Sequence, residues 1–240
     1  MDVLGAPMAL YGLFIFITIA LFFAFRIALY RGTYLDEKGK TSTALLLSFA
    51  LGMWLLGTAM MAANGTLQNF ERFPPPIMIV VGMGVVMTIV IAFSRIGLYV
   101  IKGAGLVWLV GFQGFRVLVE VFLHQMYLEG IVPKQMTYAG YNFDILAGLS
   151  ALLMAWQLAR KKIGPRTVLV WNIISLGLLI NIAVIAILSL PTPIRAFDSE
   201  PANTFVTYVP YVWLPVFQVP AALFGHLLVF RALKQGALKS

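Results

Sequence analysis

Five polar side chains recur along one apolar stretch, and their types are those that exchange protons or hold cations. The stretch runs from Leu109 to Tyr127 and carries Gln113, Arg116, Glu120, His124 and Tyr127. At about 100° per residue these five fall within a stripe roughly 80° wide on an α-helix, with mostly apolar residues elsewhere. Arg116 and Glu120 are spaced i,i+4, as are Glu120 and His124. One helix can therefore form both an ion pair and a carboxylate–imidazole hydrogen bond, the parts of a proton relay. The same residues also suit a plainer role, a buried Arg116–Glu120 pair that locks packing with His124 as a satisfied donor.

Three more positions extend this set. Asn142 and Asp144 stand at the expected start of the next helix, where either side chain caps exposed N–H groups. The same placement aims an amide and a carboxylate at the end of the stripe. Gln218 lies between Pro215 and Pro220, in a segment where Pro210, Pro215 and Pro220 recur at five-residue spacing. Each proline removes a backbone N–H, and the carbonyls so freed build cavities or hinges inside membranes. Asn172, Ser175 and Asn181 read as interhelical hydrogen-bonding residues, and Gly52, Gly57, Gly82 and Gly84 as close-packing positions.

Redox and metal chemistry have little to work with. There is no cysteine, and there are only two histidines. His124 and His226 stand on the order of 15–20 Å apart along the membrane normal at about 1.5 Å per residue, too far to ligate one haem or metal ion. A metal at Glu120 and His124 would need Asp144 as a third ligand, so no metal and no cofactor are expected. The GxSxG, HExxH and phosphate-loop patterns are absent, and the last apolar run has no lysine for a retinal Schiff base.

The elements that must carry these residues follow from composition. Hydrophobic residues make up 61% of the 240 and charged residues 11%, which excludes a soluble globular domain. Apolar runs at about 8–30, 43–63, 77–93, 106–128, 143–158, 168–190 and 208–230 predict seven transmembrane helices in a single all-α domain over 1–240, the fifth run being the shortest. Asp2 ahead of the first run, and its length, exclude a cleaved signal peptide. One set of connections holds Arg31, Lys38, Lys40, Arg95, Lys102, Arg160, Lys161, Lys162, Arg166, Arg231, Lys234 and Lys239; the other holds only Arg72, Lys134 and Arg195. The positive-inside rule then puts the N-terminus outside and the C-terminus in the cytoplasm. The +8 net charge is thus a topology signal and not the mark of a nucleic-acid partner. Asp2, Glu71, Glu129, Asp144, Asp198 and Glu200 on the outer side, against three basic residues, would concentrate cations there.

Phe115-Arg116 to Glu120, then Asn142-Phe143-Asp144-Ile145 with Gly148-Leu149, resembles uncharacterised bacterial polytopic membrane proteins, a resemblance that implies no activity. The expected location is a bacterial cytoplasmic membrane. The expected function is transport of protons, a cation or a small polar solute past the fourth-span stripe, with Glu120 and His124 as exchangeable sites. A non-catalytic subunit or ligand-sensing seven-helix protein is the alternative. An intramembrane enzyme using Glu120, His124 and Asp144 comes last, since no nucleophile or complete ligand set is visible. The expected partners are the lipid bilayer, a small polar solute or cation, and further membrane subunits or copies of the chain.

Overall fold

In hydrocarbon every backbone N–H and C=O must be bonded within its own segment, so long apolar runs fold as helices. The computed structural model describes residues 4–33 and 36–236; Asp2 and Lys239 lie outside the described residues. Among the described residues there are eight α-helices and no strand: α1 (Met8–Gly32), α2 (Glu37–Ala63), α3 (Pro76–Phe93), α4 (Arg95–Phe112), α5 (Phe115–Leu128), α6 (Asp144–Ala159), α7 (Pro165–Leu188) and α8 (Val219–Lys234). Six stretches are long and apolar enough to cross a membrane, α4 and α5 counting as one run of 34 residues. Their outward faces carry exposed Leu46, Phe49, Val90 and Ile174. The chain is a multi-pass membrane protein.

The remaining helix, α6, has 16 residues. That is about 24 Å at 1.5 Å per residue, short of the roughly 30 Å hydrocarbon core. Its shortness has a structural cause. The connection from α5 turns back into the bundle and buries Val132, Gln135, Met136, Thr137 and Asn142, so α6 starts deep. Non-helical backbone at such depth is stable where protein surrounds it.

Three expected boundaries are corrected. The expected 43–63 run begins at Glu37, where Asp36 caps α2 by accepting from Gly39 N–H at 2.9 Å. The expected 106–128 helix is two helices, α4 reaching back to Arg95 behind a Ser94 cap, with a kink at Gly105 (φ 74°) and a break at Gln113–Gly114. The expected 208–230 helix starts only at Leu214 with a π-helical turn, Leu214–Gln218. Pro210 and Pro215 supply no N–H to an earlier turn. Pro220 likewise leaves Val216 without its intrahelical donor, and Trp54 Nε1 on α2 donates to that carbonyl at 3.0 Å.

Of the four glycines expected at close contacts only Gly84 packs, its Cβ position 3.5 Å from Trp54 Cζ2, and the tightest approaches fall on other glycines. A Cβ on Gly103 would lie 1.8 Å from Ala28 O, and one on Gly32 would lie 1.6 Å from Tyr99 O, so α1 and α4 cross backbone against backbone. At Gly148 a Cβ would meet Val117 Cγ2 at 2.7 Å, which sets the α5–α6 contact. Gly52, Gly57 and Gly82 face open space. Arg231 on the last turn of α8 donates to Ser94 O at 2.7 Å and to Ala92 O, closing the carbonyl end of α3. At the opposite end Gln135 donates to Ser189 Oγ at 3.0 Å and accepts from Ser199 Oγ at 2.8 Å. Beside it a hydrogen bond from Arg195 holds the Glu200 carboxyl below its ordinary range.

Candidate functional site

Arg116 sits on the first turn of α5 and is 2% exposed. The close approach at Gly148 brings α6 beside it, so the guanidinium meets a carboxylate on another helix. Its Nε donates to Asp144 Oδ2 at 2.6 Å and Nη2 donates to Asp144 Oδ1. Nη1 donates to Ser175 Oγ at 2.9 Å and to His226 Nε2 at 3.0 Å, and Nη2 also reaches Ser175 O at 3.2 Å. A guanidinium only donates, so His226 Nε2 is the acceptor and its proton sits on Nδ1. That proton goes to Asn172 Oδ1 at 2.8 Å, while Asn172 Nδ2 donates to His226 O at 3.1 Å. All five N–H groups of Arg116 are thereby used, and Asp144 balances its charge.

The expected i,i+4 pairing of Arg116 with Glu120 is replaced by this interhelical fork. A carboxylate across the helix interface offers two parallel hydrogen bonds, whereas one on the next turn of the same helix meets the guanidinium less squarely. Glu120, 1% exposed, instead accepts from Asn142 Nδ2 at 2.6 Å through Oε1. Asn142 Oδ1 also accepts from Asp144 N–H at 3.0 Å, so this one amide caps α6 and holds Glu120. The expected Glu120–His124 bond is likewise not formed: His124 stacks on Tyr138 with ring centroids 4.2 Å apart, and Tyr127 lies 5.9 Å from it.

Beside these groups lies a cavity of about 470 Å³ between α3, α5, α7 and the start of α8. Its walls are mostly aliphatic. Arg116, Glu120, Asp144 and Gln218 of the expected set border it, together with Asn203; Gln113, His124, Tyr127 and Asn142 do not. Gln113, in the break between α4 and α5, donates to Ala222 O on α8 at 2.9 Å. Gln218 donates to Thr18 Oγ1 on α1 at 2.9 Å, and Asn203 donates to Ala186 O at 2.8 Å. Three buried oxygens on the cavity-lining residues have no partner: Glu120 Oε2, Gln218 Oε1 and Asn203 Oδ1. A buried acceptor left bare costs roughly 1–3 kcal/mol, so the three together call for something that donates.

Sequence reasoning missed His226, Asn172, Ser175 and Asn203 as members of this site. The available signal was spacing: Asn172 and Ser175 stand three apart on one face of α7, at a depth that Arg116 can reach. Among the described residues no three His, Cys, Asp or Glu side chains are grouped to hold a metal ion.

No curated protein and no solved structure matches the chain. The cavity lining, from Ile77 to Ala222, falls wholly inside residues 74–234. Those residues match the family described as Domain of unknown function (DUF8737), and the chain belongs to that family.

Proposed function

We propose that the protein is an integral membrane transport protein in which a proton, a cation or a small polar solute occupies the cavity beside Glu120. The observation that carries this is Glu120, which borders a cavity of about 470 Å³ and whose buried Oε2 has no partner. Arg116 is neutralised by Asp144, so Glu120 is the group left to exchange a proton or meet a cation. Its neighbour Asn142 holds one oxygen and leaves the other open. The irregular backbone of Leu214–Gln218 forms one wall, the kind of element on which transporters build their sites.

In this reading α6 is a seventh crossing, the N-terminus is outside, and the C-terminus faces the cytoplasm of a bacterium across its inner membrane. Support comes from the basic residues at one set of connections and from Leu158, near the end of α6. Leu158 packs into the same apolar cluster as Ala28, Val100 and Ala232, next to those connections. The bilayer is the protein's solvent and first partner.

The test is flux in proteoliposomes. The parent protein is expected to show a pH- or cation-dependent flux that Glu120→Gln abolishes while the folded protein survives purification. An unchanged flux in the variant would dismiss the reading. A folded parent with no flux of its own, recovered with a larger membrane partner, would favour a subunit or sensor instead.

A further inference from the structure

The cavity has a chemical bias and a way in, and together they name a class of ligand. The bias comes from the polar residues that border it. Arg116 is the cation at the cavity, and every one of its N–H groups is already spent on Asp144, Ser175 and His226. The bare atoms are all oxygens, one of a carboxyl and two of amides. An anionic headgroup would find no charged donor free here, only the second N–H of the Asn203 and Gln218 amides, whereas an ammonium or a hydroxyl would bring donors to the three bare oxygens. The rest of the wall is aliphatic, so the ligand must carry an apolar body, and the volume lies in the roughly 300–1,000 Å³ range of small-molecule sites.

The way in follows from which helices touch. Both α3 and α7 pack on α8, yet they are not closely packed on each other. Gly82 on α3 borders the gap, is exposed, and has open space where a Cβ would stand. The end toward the connecting loops is shut by Met136, Leu190, Asn203 and Val206, each at most 5% exposed. The open side therefore faces the flank of the bundle, where lipid would lie.

We propose that the cavity binds a compact amphipathic amine, with its protonated nitrogen toward Glu120 in the cavity that Asn203 and Gln218 also border, and that this ligand enters from the bilayer between α3 and α7. The assignment rests on the transport reading of the same site and narrows its substrate class. A cation sheltered from water gains most from a carboxyl that no other charge satisfies, and an apolar body already dissolved in lipid reaches the gap without crossing the loops.

The experiment uses three cage compounds that share one apolar body: 1-adamantanamine, 1-adamantanol and 1-adamantanecarboxylate. Binding of tritiated 1-adamantanamine to the full chain in lipid nanodiscs is measured, with protein-free nanodiscs subtracted. Saturable binding is expected, with weaker displacement by the alcohol and none by the carboxylate. Glu120→Gln is expected to weaken binding at least tenfold. Gly82→Trp, placed where no backbone clash arises, is expected to abolish it with an unchanged melting temperature. Displacement by the carboxylate as strong as by the amine, or parent-like binding in Glu120→Gln, would overturn the ligand class. Parent-like binding in Gly82→Trp would overturn the entry route. If the amine binds as described and no Glu120-dependent flux exists, the transport reading fails alone; if such flux exists and the amine does not bind, only this assignment fails.

Discussion

At the scale of single residues, the charge network around Arg116 separates two carboxyls that look alike in sequence. Asp144 is engaged through both oxygens by one guanidinium, and Glu120 is held through one oxygen by an amide. Removing one partner of a buried ion pair leaves the other charge uncompensated, which costs about 3–5 kcal/mol, while replacing both by apolar groups of similar size is near neutral. Asp144→Leu is therefore expected to lower the melting temperature in detergent sharply, and Arg116→Leu combined with Asp144→Leu to recover most of the loss. A double variant no more stable than the single one would contradict this account of the pair. The membership of Arg116, Glu120, Asn142 and Asp144 in one neighbourhood was legible from spacing and from the rarity of charge in an apolar run. Which carboxyl takes the guanidinium was not. That choice depends on Gly148 letting two helices approach, and a helical wheel of one segment holds no information about its neighbour.

At the scale of elements, backbone contact between helices decides where the site's parts sit. Gly103 and Gly148 each lie where an added side chain meets another helix, whereas Gly52 faces open space. Gly103→Leu and Gly148→Leu are expected to destabilise by at least the roughly 1–3 kcal/mol of an overpacked core, and Gly52→Leu to leave thermal unfolding in detergent unchanged. Trp54→Phe strips Val216 O of its donor and is expected to cost about 1–3 kcal/mol by the same measurement. The apolar runs marked most of the helices because length and hydropathy are local properties. They misplaced the start of α4, since Arg95 and Lys102 read as a loop, although Gly103 and Gly32 pack this part of α4 against α1. They also extended the last helix to residue 208, because prolines that end a helix and prolines that bend one look the same in an apolar run.

At the scale of the whole molecule, the proposed crossing of α6 would fix which side each connection occupies. The chain has no native cysteine, so single cysteines report position directly. Glu71→Cys is expected to react with a membrane-impermeant maleimide on intact cells and Lys161→Cys only after the membrane is opened; equal reaction of both on intact cells would mean that α6 does not cross. The proposed function turns on Glu120 bordering the cavity with a bare carboxyl oxygen, and the proposed ligand on a way into that cavity from the lipid. The most direct measurement treats native membranes with the lipid-soluble carboxyl reagent dicyclohexylcarbodiimide and maps the adducts by mass spectrometry. Modification at Glu120, with Asp144 spared, is the result the structure predicts. An unmodified Glu120, or adducts shared equally with Asp144, would contradict it.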